Sequence, residues 1–229
     1  MRGFAAGSGQ VLVVAEHDGK QVRWCRPLLR PGVWCNAVVL TLTYFHATFP
    51  TFAYVPPQLT GATLAAITAA SKLGSVSLLV AGDSADAVAQ VASQVAGVSK
   101  VLVAKDAAYN NGLPENYSNL VASVQKKGNF NYVVAAHTAF GKNFMPRLSA
   151  QLDAAQVSDV MAVEGPDTFV RPIYAGNAIA TVKTVDPVKV LTVRPTSFDK
   201  AATTGGSAAV EPVPAADKFG TPGRWSNAD

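Results

Sequence analysis

The sequence predicts one α/β domain built on a largely parallel sheet, and three observations carry that prediction. Short, almost continuously apolar runs alternate with segments of helical period, the rhythm of strand–helix–strand units. The connections between most of them are short, as such units require. Composition agrees: 49% of the residues are hydrophobic and only 15% charged, a balance that suits a sheet covered by helices on both faces. At 229 residues the chain has ample length for a buried core.

The elements follow in order. Val11 to Ala15 is a short β-branched run and reads as a buried strand, closed by the polar turn Glu16 to Gly19. From Thr63 the period lengthens: Leu64, Ile67, Ala70 and Leu73 mark a helix, with Gly74 placed to cap it. Val76 to Ala81 is a second strand ended by Gly82-Asp83, and Ala85 to Val95 a second helix with Ser84 or Asp86 near its start. Val101 to Ala104 is the third strand. A polar loop from Tyr109 to Pro114 leads to a helix over Asn116 to Lys127, then a fourth strand over Tyr132 to Ala136. Asn143 to Leu152 is helical, and Val157 to Val163 returns to strand.

Beyond Glu164 the helices stop. Phe169 to Tyr174, Ala178 to Lys183 and Val188 to Val193 read as three strands, with a tight turn at Gly176-Asn177. The reading is an antiparallel excursion whose last strand rejoins the main sheet. Residues 203–229 are rich in Ala, Gly, Pro, Ser and Thr, which predicts a mobile tail or interdomain linker. The organisation is therefore a short extension over 1–10, the α/β domain over 11–202, and the tail.

One stretch breaks the rhythm. A crossover helix should follow the first strand closely, yet Arg23 to Leu59 intervenes with two tryptophans, both cysteines and prolines at 27, 31, 50, 56 and 57. Val33 to Leu59 contains no charged side chain unless His46 is protonated. A membrane segment, a lid-like insertion and translated intron are three readings of it. Asn36, His46, Pro50 and the threonines dilute the apolar signal a span needs, so no stable membrane insertion is expected. The artefact reading fits the composition best.

Charge and motifs exclude more than they assign. The net charge is +4, and Arg23, Arg26 and Arg30 supply three of those charges; without them sixteen basic side chains face fifteen acidic ones. No basic patch interleaved with aromatics exists, so no nucleic-acid partner is expected. Cys25 and Cys35 lack the spacing of a redox or zinc motif and read as free thiols. Met1 to Gln10 lacks the apolar core of a leader. Neither G-x-G-x-x-G, G-x-x-x-x-G-K-[ST] nor G-x-S-x-G occurs, and Gly7-Ser-Gly9 precedes a strand rather than following one. His17, His46 and His137 share no ligand spacing, so no metal site is expected. Asp153, Asp159 and Glu164 read as caps and solvated ends. The most site-like segment is His137 to Lys142, after the fourth strand, where open α/β sheets bind ligands. Lys142 near a helix N-terminus suits an anion; the competing reading, a loop packed on another chain or domain, is preferred because a lone Gly-Lys is unspecific.

A set of segments in order goes further. Val11-Leu-Val-Val-Ala-Glu-His-Asp18, Ala65-Ala-Ile-Thr-Ala-Ala70, Ala139-Phe-Gly-Lys-Asn143 with Pro146-Arg147, Ser158-Asp159, Phe169-Val-Arg171 with Ile173-Tyr-Ala-Gly-Asn-Ala178, and Val193-Arg194 with Thr196-Ser-Phe198 resemble the N-terminal domain of the electron transfer flavoprotein alpha subunit. The resemblance covers roughly Val11 to Val22 and Gly61 to Ser207. It implies a three-layer sandwich of the adenine-nucleotide alpha-hydrolase type and a heterodimer with a beta subunit. It also implies FAD held mainly by a second alpha-subunit domain, AMP held by the beta subunit alone, and electron flow from acyl-CoA and related dehydrogenases to a membrane quinone oxidoreductase. The compartment implied is the mitochondrial matrix, or the cytoplasm of a bacterium.

Two departures qualify it. The insertion 23–59 has no family counterpart, and the family's flavin-domain motifs do not occur before Asp229. A truncated subunit is therefore expected: an electron-carrier component rather than an enzyme, supplying the docking half, with no catalytic, cofactor-binding or metal residue assigned. The hairpin with Arg171, Tyr174 and Asn177 and the loop from Phe140 to Arg147 are the expected interface, against a competing reading in which they only hold the domain together. The alternatives are a stand-alone nucleotide-binding module and a non-functional product of a misread gene.

Overall fold

A computed structural model describes residues 9–17, 59–110 and 112–214. Both cysteines, His46, the arginines of the insertion and nearly all of the insertion itself lie outside them. His17 and Leu59, described residues on either side of it, form an antiparallel bridge. The first strand and its crossover helix are thus joined across the insertion.

Seven parallel strands form the main sheet. In chain order its elements are β1 (Gly9–Val14), α1 (Gly61–Ser71), β2 (Gly74–Ala81), α2 (Ala85–Ser93), β3 (Val98–Ala104), α3 (Pro114–Gly128), β4 (Tyr132–Ala136), α4 (Ala139–Leu152) and β5 (Gln156–Val160). The chain then makes β6 (Ala162–Val163), β7 (Thr168–Ile173) and β8 (Ala178–Lys183), and returns as β9 (Lys189–Val193) and β10 (Ala209–Pro212). The strand order is β10-β3-β2-β1-β4-β9-β5, while β6, β7 and β8 form a separate three-stranded antiparallel sheet. The expected three-layer α/β architecture is present.

Strand periodicity explains the layers. Val11, Val13, Val76, Leu78 and Val80 point to one face, where Leu64, Ile67 and Ala70 of α1 and Val88 and Ala92 of α2 cover them. Leu12, Val14, Leu79 and Val133 point to the other, against Leu120 and Val121 of α3 and Phe144, Met145 and Leu148 of α4. Because both faces are covered, the central strands read as continuous apolar runs. The alanines at 65, 66, 69 and 70, all buried, leave α1 apolar on most of its circumference.

Several expectations need correction. Gly74 does not cap α1; Lys72 does, and Gly74 opens β2 opposite Gly9. The helix expected from Asn143 begins at Ala139, because Thr138 caps it. The strand expected over Val157 to Val163 divides, since Asp159 adopts a left-handed φ of 61° and the Met161 N–H turns to the Val170 carbonyl at 2.8 Å. The tight turn at Gly176-Asn177 is a longer connection over residues 174–177, with positive φ at Tyr174, Ala175 and Gly176.

The stretch expected to be a tail is ordered as far as it is described. Ala209–Pro212 pair in parallel with β3, and the N–H groups of Gly206 and Ala208 donate to the carbonyls of Gln94 and Ser93 at 2.8 and 3.0 Å. A Cβ on Gly206 would lie 2.2 Å from the Val95 carbonyl oxygen, so this crossing suits glycine. The remainder, 215–229, is outside the described residues.

Candidate functional site at the carboxyl edge of the sheet

The strand order reverses between β1 and β4, since β1 leads outward to β2 and β3 while β4 lies on its other side. In open parallel sheets, ligands bind beyond the carboxyl ends of strands at such a switch point. Here Glu16 and His17 follow β1, and His137 and Thr138 follow β4.

The chain fills this position itself. The Thr138 hydroxyl donates to Glu16 Oε2 at 2.7 Å and accepts the Gly141 N–H at 3.4 Å. The Glu16 backbone is held by Thr63, whose hydroxyl accepts its N–H and donates to its carbonyl, each at 3.1 Å. The same carbonyl accepts the N–H of Thr60, the residue that caps α1. Glu16 thus links the starts of two helices, and its carboxylate sits beside the cap of α4, the helix end that favours an anion.

Thr138→Ala is therefore expected to lower stability by about 1–2 kcal/mol, whereas Thr138→Ser retains the hydroxyl and most of the stability. The denaturant midpoints of the two variants check this.

The neighbouring residues are also committed. His17 Nε2 lies 2.9 Å from the Ala81 carbonyl, so that nitrogen carries the proton. The Tyr117 hydroxyl donates to the same oxygen at 3.1 Å, and burial raises the pKa of this phenol. The segment His137 to Lys142 is not a loop but a cap and first helical turn. Phe140 within it packs edge-on to Tyr117 with centroids 4.8 Å apart, and Arg147 pairs with Glu115 at 2.8 Å. Lys142 is exposed and makes no ion pair among the described residues.

Next along the edge lies a charged cluster. Asp159, at the bend in β5, receives a fork from Arg194, which follows β9: Nε donates to Oδ1 at 2.9 Å and Nη2 to Oδ2. Arg194 Nη1 reaches Met161 Sδ at 3.5 Å. The buried Thr192 hydroxyl accepts the Asp159 N–H at 3.1 Å and bonds His137 Nδ1 at 3.1 Å, while His137 Nε2 lies 3.9 Å from Asp159 Oδ1. Asp159 is thus no solvated end. The Arg194 hydrogen bonds hold its carboxyl below the usual value, as a charge-assisted fork should. Asp153 does cap, in left-handed conformation after α4.

Burial lowers the pKa of His137; the Asp159 charge opposes that, and Lys142, Arg194 and Arg171 reinforce it. The folded state therefore prefers the neutral ring. Below about pH 6.5 the unfolded chain binds more protons, so stability falls as pH drops from there through the depressed folded value, and is flat above. His137→Gln should remove that step. Urea midpoints measured from about pH 7.5 down to pH 5 test it, and an unchanged pH profile in the variant would refute it.

Chemically, the edge offers charge recognition. Among the described residues no group of His, Cys, Asp and Glu is arranged to hold a metal, and no helix is long and apolar enough to cross a membrane. Sequence reasoning reached His137 and Lys142 but not the fork, whose partners lie 35 residues apart. A dinucleotide diphosphate does not fit at the switch point, where it would meet the Glu16 carboxylate and a Gly141 N–H already bonded to Thr138.

Fold and edge together define a three-layer α/β sandwich with an antiparallel arm and a charged carboxyl rim. The electron transfer flavoprotein domain family matches residues 53–218, and the chain belongs to that family. Its relatives are alpha subunits, and it corresponds to their N-terminal domain. It is 54% identical over 156 residues to the electron transfer flavoprotein subunit alpha of Pseudomonas aeruginosa, covering 68% of this chain and 50% of that protein. It is 44% identical over 191 residues to a probable mitochondrial subunit alpha of Caenorhabditis elegans, covering 83% and 56%. The Paracoccus denitrificans subunit alpha is 46% identical over 156 residues, with 68% and 50% covered. The chain spans about half the length of these relatives.

Proposed function

We propose that this chain is the subunit-docking part of an electron transfer flavoprotein alpha subunit and pairs with a beta subunit. In that complex electrons pass from acyl-CoA and related dehydrogenases through FAD to a membrane quinone oxidoreductase, so the chain belongs to a carrier, not an enzyme. The family match over 53–218 carries this reading. FAD belongs with the part of the relatives that this chain does not span, and AMP with the beta subunit. The compartment is the mitochondrial matrix, with a bacterial cytoplasm as the alternative.

The hairpin arm supports docking. Tyr174 is 79% exposed and Asn177 is exposed beside it, while Arg171 lies on β7 at the base. The segment from Phe140 to Arg147, also expected at the interface, stays in the proposal through its exposed Lys142, Asn143 and Arg147, while Phe140 packs on Tyr117 and Arg147 pairs with Glu115. Co-expression with the cognate beta subunit, followed by size-exclusion chromatography with light scattering, should give a one-to-one complex. Separate elution of the two chains refutes the reading.

A further inference from the structure

The small sheet ends on a strand that has no further strand beside it among the described residues. Its order is β6-β7-β8, and β8 pairs with β7 alone. The register runs without a break from Thr168 opposite Lys183 to Ile173 opposite Ala178. Two hydrogen bonds fix which backbone groups point where. The Thr184 N–H donates to the Asp167 carbonyl at 2.8 Å, and the Val170 carbonyl turns the other way, to the Met161 N–H at 2.8 Å. Backbone groups alternate in direction along an antiparallel strand, so the even-numbered residues of β8 face β7. Ile179, Thr181 and Lys183 therefore turn their N–H and C=O groups outward, to the free edge.

Proteins blunt such edges with proline, bulges or charged side chains. The edge strand β10 carries Glu211 and Pro212. By contrast β8, Ala-Ile-Ala-Thr-Val-Lys, has no proline, no bulge and a single charge at its last residue. The side chains of its outward-turning residues are exposed, Ile179 to 67%. Tyr174 and Val185, on either side of the strand, are exposed apolar residues too. Free backbone groups, no edge protection and apolar surroundings make a template for a further strand.

The strand that fits is β8 itself. When two copies lie antiparallel about a two-fold axis at Thr181, Thr181 faces its counterpart and Ile179 faces Lys183 of the second copy. All three residues turn outward, so each facing pair exchanges two backbone hydrogen bonds. No like charges meet, and threonine opposite threonine is a favourable cross-strand pair. The axis closes the contact, so assembly stops at two.

We propose that the chain on its own self-associates through β8, joining two small sheets into one continuous antiparallel sheet. This self-association goes beyond the heterodimer proposed above and does not rest on it. Both use the hairpin, so a second copy and a beta subunit exclude one another there.

The test uses the full chain, purified without a beta subunit. Light scattering over a concentration series reaching about 0.1 mM should show a monomer–dimer equilibrium. Ile179→Lys places a lysine opposite Lys183 of the second copy, and Ile179→Glu places a glutamate there. The site is 67% exposed, so both variants keep the fold. The dimer Kd of the Lys variant should be about tenfold above that of the Glu variant, a gap that narrows in high salt. In a second arm Thr181→Cys is oxidised, since facing Cα atoms about 5.5 Å apart lie within disulfide reach, and the linked peptides are mapped by mass spectrometry. A disulfide joining position 181 of both copies supports the proposal. Equal dissociation constants for the Lys and Glu variants, or interchain disulfides that leave out position 181, overturn it. A chain that stays monomeric overturns it as well, and loss of beta-subunit binding in Ile179→Lys then assigns the edge to that subunit. Each of these results leaves the heterodimer to its own co-expression test.

Discussion

Phe144→Ala is expected to remove about 3–5 kcal/mol of folding free energy, the range for truncating a fully buried phenylalanine. Phe144 is 0% exposed and packs with Phe140 at 4.9 Å and Tyr117 at 6.1 Å between ring centroids. It lies where α4 meets α3 over one face of the sheet, so neither helix collapses into the void without leaving its strands. α4 also contains Pro146, which forfeits one backbone hydrogen bond, and so it depends on side-chain packing. The effect is large against a total of about 5–15 kcal/mol for a domain of this kind. Equilibrium unfolding in guanidinium measures it. A loss below about 1.5 kcal/mol would mean that α4 does not pack as described, and Phe144→Leu should lose much less than Phe144→Ala.

Gly141→Ala is the second. Helix propensity alone says that replacing a helical glycine with alanine gains about 0.5–1 kcal/mol. The structure gives the opposite sign. A Cβ at Gly141 would lie 2.0 Å from the carbonyl oxygen of Ala136 and 3.2 Å from its carbon. That atom is backbone at the end of β4, so the start of α4 must lift away and take the Thr138 cap and the Glu16 contact with it. A loss of about 2–4 kcal/mol follows. Thermal unfolding decides it, and a variant more stable than the parent would sink the argument.

The same glycine shows why α4 is hard to delimit from sequence. A Gly-Lys pair after a strand looks like a phosphate loop, and Pro146 makes the following residues look like a second start. Gly141 serves a close approach instead, and Thr138 provides the cap. Its hydroxyl is shared with Glu16, which lies 122 residues earlier. No local pattern reports such a contact.

β10 failed to register for a different reason. A strand at the sheet edge is held by backbone hydrogen bonds to β3 and an exposed Lys100–Glu211 ion pair, and the four side chains of Ala209–Pro212 are exposed. Apolar alternation, the main signal for a strand, has nothing to act on there. The bend at Asp159 is similar: Val157 to Val163 is apolar enough to read as one strand, and only the pairing partners show that it belongs to two sheets.

The parallel α/β class was determined by the sequence alone, because strands buried on both faces must be apolar throughout and their crossover helices must carry an apolar stripe. The hairpin excursion was legible on the same grounds, and the ordered motifs carried the family. The tertiary structure decided what the carboxyl edge does. Glu16, Thr138 and Thr63 meet only because β1 and β4 are neighbours, and Asp159 meets Arg194 only because β5 and β9 are. Charge pairing across a sheet depends on strand order, which local residue patterns do not encode, and that order fills the switch point with a carboxylate.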